Sequence, residues 1–240
     1  MSRVLPHPGA VGGEQQPQGK SGTLRAAIFG VNDGLVSNLS LIMGVNGARV
    51  SNHVILLAGV AGLLAGAFSM AAGEYISMRV QREVFERLIH LEAHELATEP
   101  EEELEELAEI YRNKGVPPEL ATEVAAALMR DPEVALETHA REELGLDPDE
   151  LGSPWGAAGS SFVTFAFGAF VPLVPFLISS GTTATLWSAA LSALTLFVVG
   201  AFVSILTGKR FWFAGLRAVF VGAAAATTTF LIGRLIDSGL

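Results

Sequence analysis

Apolar positions gather into five long blocks, Leu24 to Ala48, Val54 to Ser77, Gly156 to Ser179, Thr185 to Thr207 and Phe213 to Ile236. Each exceeds the ~20 residues with which a helix crosses about 30 Å of hydrocarbon. No water reaches the backbone in that layer, so a helix, which closes its own hydrogen bonds, is the expected form of each block. Pro172 and Pro175 predict a kink in the third block, with the freed carbonyls satisfied by neighbouring segments.

Between the second and third blocks the period stays helical but the residues become too polar to insert. The second block runs on without a break through RVQREVFERLIHLEAHEL. Thr98 with Glu101 three residues later reads as a capping box that opens a new helix with an acidic first turn. Asn113 to Pro118 reads as a loop. Pro117 and Glu119 then open a helix ending near Met129, and Asp131 with Pro132 starts the last one, which stops at Gly145. The predicted fold is all-α: a multi-pass membrane protein of five transmembrane helices with an acidic cytosolic helical domain inserted between the second and third. The expected divisions are a disordered arm over 1–22, the first two spans over 23–78, the inserted domain over 79–152 and the last three spans over 153–240. The arm is rich in Pro, Gly and Gln and lacks a signal-peptide pattern.

Composition sharpens this division. Half of the 240 residues are hydrophobic, and the mean hydropathy is +0.44. Residues 79–150 hold 7 Lys/Arg against 21 Asp/Glu, a local balance of −14 within a chain of net charge −10. The remainder is therefore +4. An anionic surface attracts cations and repels nucleic acid, whose phosphates need clustered Lys and Arg. Lys20, Arg25, Arg79, Arg82, Lys209, Arg210 and Arg217 all fall on one side of the five blocks. The excess of positive charge makes that side cytosolic, together with the N-terminus and the acidic domain. With no cysteine, disulfides, thiolate metal sites and thiol nucleophiles are excluded.

Two groups of residues carry candidate chemistry. The first lies in the spans. Asp33 stands in an otherwise apolar block beside Asn32, Ser37, Asn38 and Ser40, and a carboxylate at membrane depth costs about 2.5–3.5 kcal/mol, which marks it as a functional candidate. Met70 and Glu74 are four apart, on one face of the second helix. A thioether beside carboxylates favours a transition metal over Mg²⁺ or Ca²⁺, which take oxygen ligands. Carboxyls in a low-dielectric site can hold a proton or a metal in turn, the minimum an antiporter requires. Paired small residues, Gly30 with Gly34 and Gly62 with Gly66, and the seven-residue series Gly59, Gly66 and Gly73, read as helix packing.

The second group lies in the acidic insert. Glu92 and Glu95, Glu103 and Glu106, and His139 and Glu143 stand three or four apart, so each pair offers two ligands on one helix face. Clustered like charges weaken a fold unless a cation neutralises them. A solvated face is the competing reading for the EEELEELAE run, as it is for His90 and His94. No E-x-x-H, Walker loop, G-x-S-x-G, H-E-x-x-H or dinucleotide fingerprint occurs, so neither an enzyme nor a prosthetic group is expected.

With these residues in view, the chain resembles the vacuolar iron transporter family from Leu24 to Ile236. The likeness is carried by FGVNDGLVSNLSLIMGVNGA in the first span, GAFSMAAGEYIS in the second and the Glu-rich segment ending HAREELGL. It implies a homodimer of five-span subunits that exports Fe²⁺, in some members Mn²⁺, from the cytosol in exchange for protons. It also implies Asp33 and Met70 in the translocation path with Glu74 close by, and Glu92, Glu95, Glu103, Glu106 and Glu143 as ligands of the cytosolic metal-binding domain. His139 stands where some members carry a Met ligand, and Glu74 where some carry Gly. Divalent metal, Fe²⁺ with Mn²⁺, Co²⁺ or Zn²⁺ as alternatives, is on this view both substrate and domain ligand, in a bacterial inner membrane or a vacuole-type membrane. A metal-sensing or metal-storing membrane protein is the main rival, and a Mg²⁺ channel a second.

Overall fold

The computed structural model describes residues 18–208 and 210–239, and the side chains of those from Ala26 on apart from residues 150 and 205–207. The described elements are helical: α1 Gln18–Gly47, α2 Asn52–Thr98, α3 Pro100–Asn113, α4 Pro118–Leu128, α5 Pro132–Glu142, α6 Pro154–Phe170, α7 Val174–Ile178, α8 Gly181–Thr207 and α9 Phe211–Asp237. Five stretches are long and apolar enough to cross a bilayer: Ala26–Gly47, Asn52–Thr98, Pro154–Ile178, Gly181–Ser204 and Phe211–Asp237. Residues 18–22, expected within a disordered arm, belong to α1; the rest of that arm lies outside the described residues. At 47 residues, α2 has more than twice the length a bilayer requires, and its apolar stretch gives way to charge at Arg79.

The chain forms two compact units, one holding Met78–Ser153 and the other Gly22–Ser77 with Pro154–Leu240. In the second, α1 packs against α6 and α9 through positions without side chains. A methyl at Gly34 would meet the Phe165 carbonyl, one at Gly168 the Val31 carbonyl and one at Gly233 the Gly44 carbonyl. Such contacts let helix backbones close up in lipid, where burial of apolar surface offers no drive. Gly59 lies on Leu173 and Ile42, and Gly66 on the Phe165 ring, whereas Gly73 touches nothing. Ile42, Ile55, Leu173, Phe176 and Ala184 form the main apolar core of this unit.

Pro172 and Pro175 break the third span outright: a 3₁₀ turn at Val171–Leu173 separates α6 from α7. The carbonyls around the break find donors on other helices. Ala169 accepts from Asn38 Nδ2 at 2.6 Å, Pro172 from Ser188 Oγ at 2.7 Å and Phe176 from Asn52 Nδ2 at 2.9 Å. In a medium without water these bonds are what permits the irregular turn.

In the other unit, α3 and α4 pack through Leu107, Ala108 and Ala125. The boundary before α3 differs from the expected capping box. Residues through Thr98 stay helical, Glu99 alone breaks the run, and no side chain caps α3. Thr98 Oγ1 donates instead to the His94 carbonyl one turn back, the usual way a hydroxyl is absorbed inside a helix. Asp131 does cap α5, accepting from the Glu133 N–H at 3.0 Å. At the other end Gly145 adopts φ 66°, the left-handed conformation that glycine reaches most easily, and the Leu146 N–H reaches back to the Ala140 carbonyl.

Candidate metal sites

The inner face of α5 is set by Ala135, His139 and Ala140, all buried, at the spacing that one helix face demands. Glu103 and Leu107 do the same for α3, and Glu92 is the buried carboxylate of α2 in this unit, 2% exposed. These three faces bring Glu92, Glu103, His139 and Glu143 together, one ligand atom of each lying within 4.8 Å of the others. His139 Nδ1 stands 3.0 Å from Glu92 Oε1, 3.3 Å from Glu103 Oε2 and 3.9 Å from Glu143 Oε2.

Other acids of the unit have cations of their own: Glu105 pairs with Arg112, Glu142 with Lys114, and Glu137 and Asp147 share Arg141. Among the described residues no Lys or Arg pairs with Glu92, Glu103 or Glu143, so a protonated His139 is their one positive neighbour. Burial alone would depress the His139 pKa, but close contact with Glu143 and Glu92 and the charges of Glu92 and Glu103 push it up to about 9. Burial, followed by the Glu92 charge, raises Glu103 to about 7; Glu106 and Glu143 add to this and His139 opposes it. Despite their proximity, His139 Nδ1 and Glu92 Oε1 do not meet in hydrogen-bonding geometry, and His139 Nε2 also lacks a partner. Three carboxylates and one imidazole, with orphaned buried atoms at the centre, form a donor set suited to a divalent transition metal in place of the protons.

Glu95 and Glu106, the companions of Glu92 and Glu103 in sequence, are half-buried and fall outside this group. Glu106 bears on it through its charge, which adds to the rise at Glu103. His90 and His94 are exposed.

In the membrane-type unit, Asp33 and Ser37 of α1, Met70 and Ser69 of α2 and Phe165 of α6 line a groove of about 340 Å³, together with Asn38, Leu41, Gly62 and Gly66. The groove brings Asp33 and Met70 together. Glu74, one turn beyond Met70, is half-buried and not part of its wall. Among the described residues no donor or cation pairs with the Asp33 carboxylate. Asn38, which the sequence places among the polar companions of Asp33 without a role of its own, joins the groove wall; its signal is a primary amide within an apolar span, with more hydrogen-bonding atoms than one neighbour can satisfy.

Five apolar helices with an acid and a thioether on one intramembrane groove, and a separate helical unit with a carboxylate–imidazole cluster, define a multi-span membrane protein with two candidate cation sites. Residues 24–234 match the model of the VIT family. The chain is 30% identical over 215 residues to vacuolar iron transporter 1 of Arabidopsis thaliana, covering 89% of this chain and 86% of that one. It is 40% identical over 167 residues to the vacuolar iron transporter of Acanthamoeba castellanii, covering 69% and 60%. With vacuolar iron transporter 2 of Oryza sativa it shares 29% identity over 216 residues, 90% of this chain and 88% of the relative. The chain belongs to the VIT family.

Proposed function

We propose that the protein transports a divalent transition metal, Fe²⁺ first and Mn²⁺ as an alternative substrate, out of the cytosol in exchange for protons. The observation that carries this reading is the meeting of Asp33 and Met70 in one groove of the membrane-type unit. An unpaired carboxylate is expensive at membrane depth and is retained where it handles an ion. A sulfur donor beside it tilts the preference away from Mg²⁺ and Ca²⁺. The iron in the relatives' names is in keeping with that donor set.

On this reading the basic flanks place the acidic unit in the cytosol. Glu92, Glu103, His139 and Glu143 gather metal there, with Glu95 and Glu106 as outer acidic groups that raise the local cation concentration. Asp33 and Met70 then carry the ion through the spans of a homodimer while protons return, and Glu74 serves the cytosolic mouth. Loading the cluster displaces protons from His139 and Glu103, so capture is itself coupled to pH. No prosthetic group takes part.

The buried cluster also suits a sensor or store from which nothing crosses the membrane, and flux separates the two readings. Purified protein in sealed vesicles, given Fe²⁺ and Mn²⁺ separately without oxygen and with an internal pH dye, should accumulate metal as the lumen turns alkaline. Asp33→Ala should reduce uptake at least tenfold while folding is kept. Metal binding without uptake would leave the storage reading; uptake by the variant at the parent rate would remove Asp33 from the mechanism.

A further inference from the structure

The groove has a second end. α1 and α2 are joined by a short turn and run antiparallel, so residues rising along one descend along the other. Asn38 lies five residues past Asp33, about 7.5 Å along α1, and Gly62 lies eight residues before Met70, about 12 Å along α2. Asn38 and Gly62 therefore face each other at one end, and Asp33 and Met70 occupy the other. Asn38 is 2% exposed. Its Nδ2 is committed to the Ala169 carbonyl at 2.6 Å, which fixes the amide and turns Oδ1 the other way. Oδ1 is buried and has no hydrogen-bond donor. A methyl on Gly62 would stand 2.9 Å from that oxygen and would also run into Leu41 Cδ2, so Gly62 borders the oxygen and the rotatable Leu41 side chain covers it.

An unsatisfied carbonyl-type oxygen in hydrocarbon costs free energy that only a donor or a cation recovers. The groove offers it few donors. The Asp33 carboxylate and the Met70 thioether present lone pairs, and the Ser37 hydroxyl is directed at the Gly34 carbonyl. We infer that Asn38 Oδ1 is a second, neutral ligand station for the transported cation, one and a half helical turns beyond the Asp33–Met70 position, bordered by Gly62 and the Leu41 side chain. A neutral oxygen suits a station after a charged one, since it replaces part of the hydration shell without the charge that would trap the ion. This inference rests on the transport reading and adds a residue and an order of events to it.

The test uses full-length protein in vesicles with Mn²⁺ or Fe²⁺ as the probe, and four chains: parent, Asp33→Ala, Asn38→Leu and Asn38→Cys. The parent has no cysteine, so Asn38→Cys introduces one soft ligand, and a thiol in the ion path binds Cd²⁺ far better than Mn²⁺. Asn38→Leu should lower the maximal flux about tenfold or more, and Asn38→Cys should make flux about tenfold more sensitive to Cd²⁺ block than the parent. A purely structural role through the Ala169 bond would leave Cd²⁺ sensitivity unmoved. Parent-like flux in Asn38→Leu, or parent-like Cd²⁺ block in Asn38→Cys, with Asp33→Ala inactive, overturns the station alone. If Asn38→Leu fails to fold, the Cd²⁺ response of Asn38→Cys decides. No flux in the parent overturns the transport reading and this inference with it, whereas parent-like flux in Asp33→Ala takes Asp33 out of the path and overturns the station counted from it.

Discussion

His139 Nδ1 on α5 lies 3.0 Å from Glu92 Oε1 on α2, a pairing of a buried ring with a buried acid that no Lys or Arg among the described residues joins. Under the proposed function the ring would be the counter-ion of the metal-free cluster and, once it loses its proton, a ligand of the loaded one. The same nitrogen would then serve both states, which would tie metal capture to proton release at a single atom.

Removing that nitrogen should therefore damage both states. His139→Ala leaves Glu92, Glu103 and Glu143 with neither a positive neighbour nor a nitrogen donor, and Mn²⁺ affinity of the full chain in detergent should fall about tenfold or more, the scale typical of lost support at a metal site. His139→Met restores volume and a softer donor, so Fe²⁺ and Zn²⁺ should recover more affinity than Mn²⁺. Titration calorimetry on the three chains measures this. Affinities within twofold of the parent for His139→Ala would show that the ring is not a ligand.

The pH dependence has a definite sign. The folded pKa of His139 is raised from 6.5 to about 9, so its contribution to stability is full below 6.5 and is lost as pH rises through about 9. Glu103, raised from 4.5 to about 7, contributes fully below 4.5 and loses that contribution as pH rises through about 7. Both act in one direction: the metal-free unit weakens from about pH 5 to about pH 9. A divalent cation acts oppositely, since it needs these groups deprotonated. Melting of the full chain with chelator and with Mn²⁺ should show a stabilisation by metal that grows between pH 6 and pH 8.5, about severalfold on this argument. A gap that stays constant with pH would mean that protons and metal do not share the site.

The five spans are legible in sequence because a long apolar run has one stable form in lipid. Much of the cluster is legible too, since His139 and Glu143 one turn apart already face one way. Spacing does not tell which member of Glu92/Glu95 or Glu103/Glu106 turns inward: both lie on one side of their helix, and the choice depends on where α5 packs. Nor does a shared helix face tell that Met70 lines the groove while Glu74 lies one turn beyond its wall. The capping signal at Thr98 failed because the preceding turn offered its hydroxyl a carbonyl and Pro100 could begin α3 unaided. Asn38 needed the three-dimensional fold, since only the Ala169 carbonyl reveals which of its amide atoms is left over.

The position of Asp33 depends on how closely α1 approaches α6, and Gly168 governs that approach. A methyl there would run into the Val31 carbonyl and stand 3.0 Å from the Leu35 amide nitrogen. These are backbone atoms that cannot rotate away, so Gly168→Ala must part the helices on either side of Asp33. Overpacking of this kind costs about 1–3 kcal/mol, and the lowered melting temperature should come with lowered flux, because the groove widens between Asp33 and Phe165. Gly159, on the same helix with nothing within 4 Å, provides the contrast: Gly159→Ala should leave melting within about 0.5 kcal/mol of the parent, as for a surface change without a partner. Thermal unfolding of both variants in detergent, followed by vesicle flux, measures the two effects. Equal stability of the two would show that the α1–α6 contact does not limit the fold, and a destabilised Gly168→Ala with parent flux would detach that contact from the geometry of the groove.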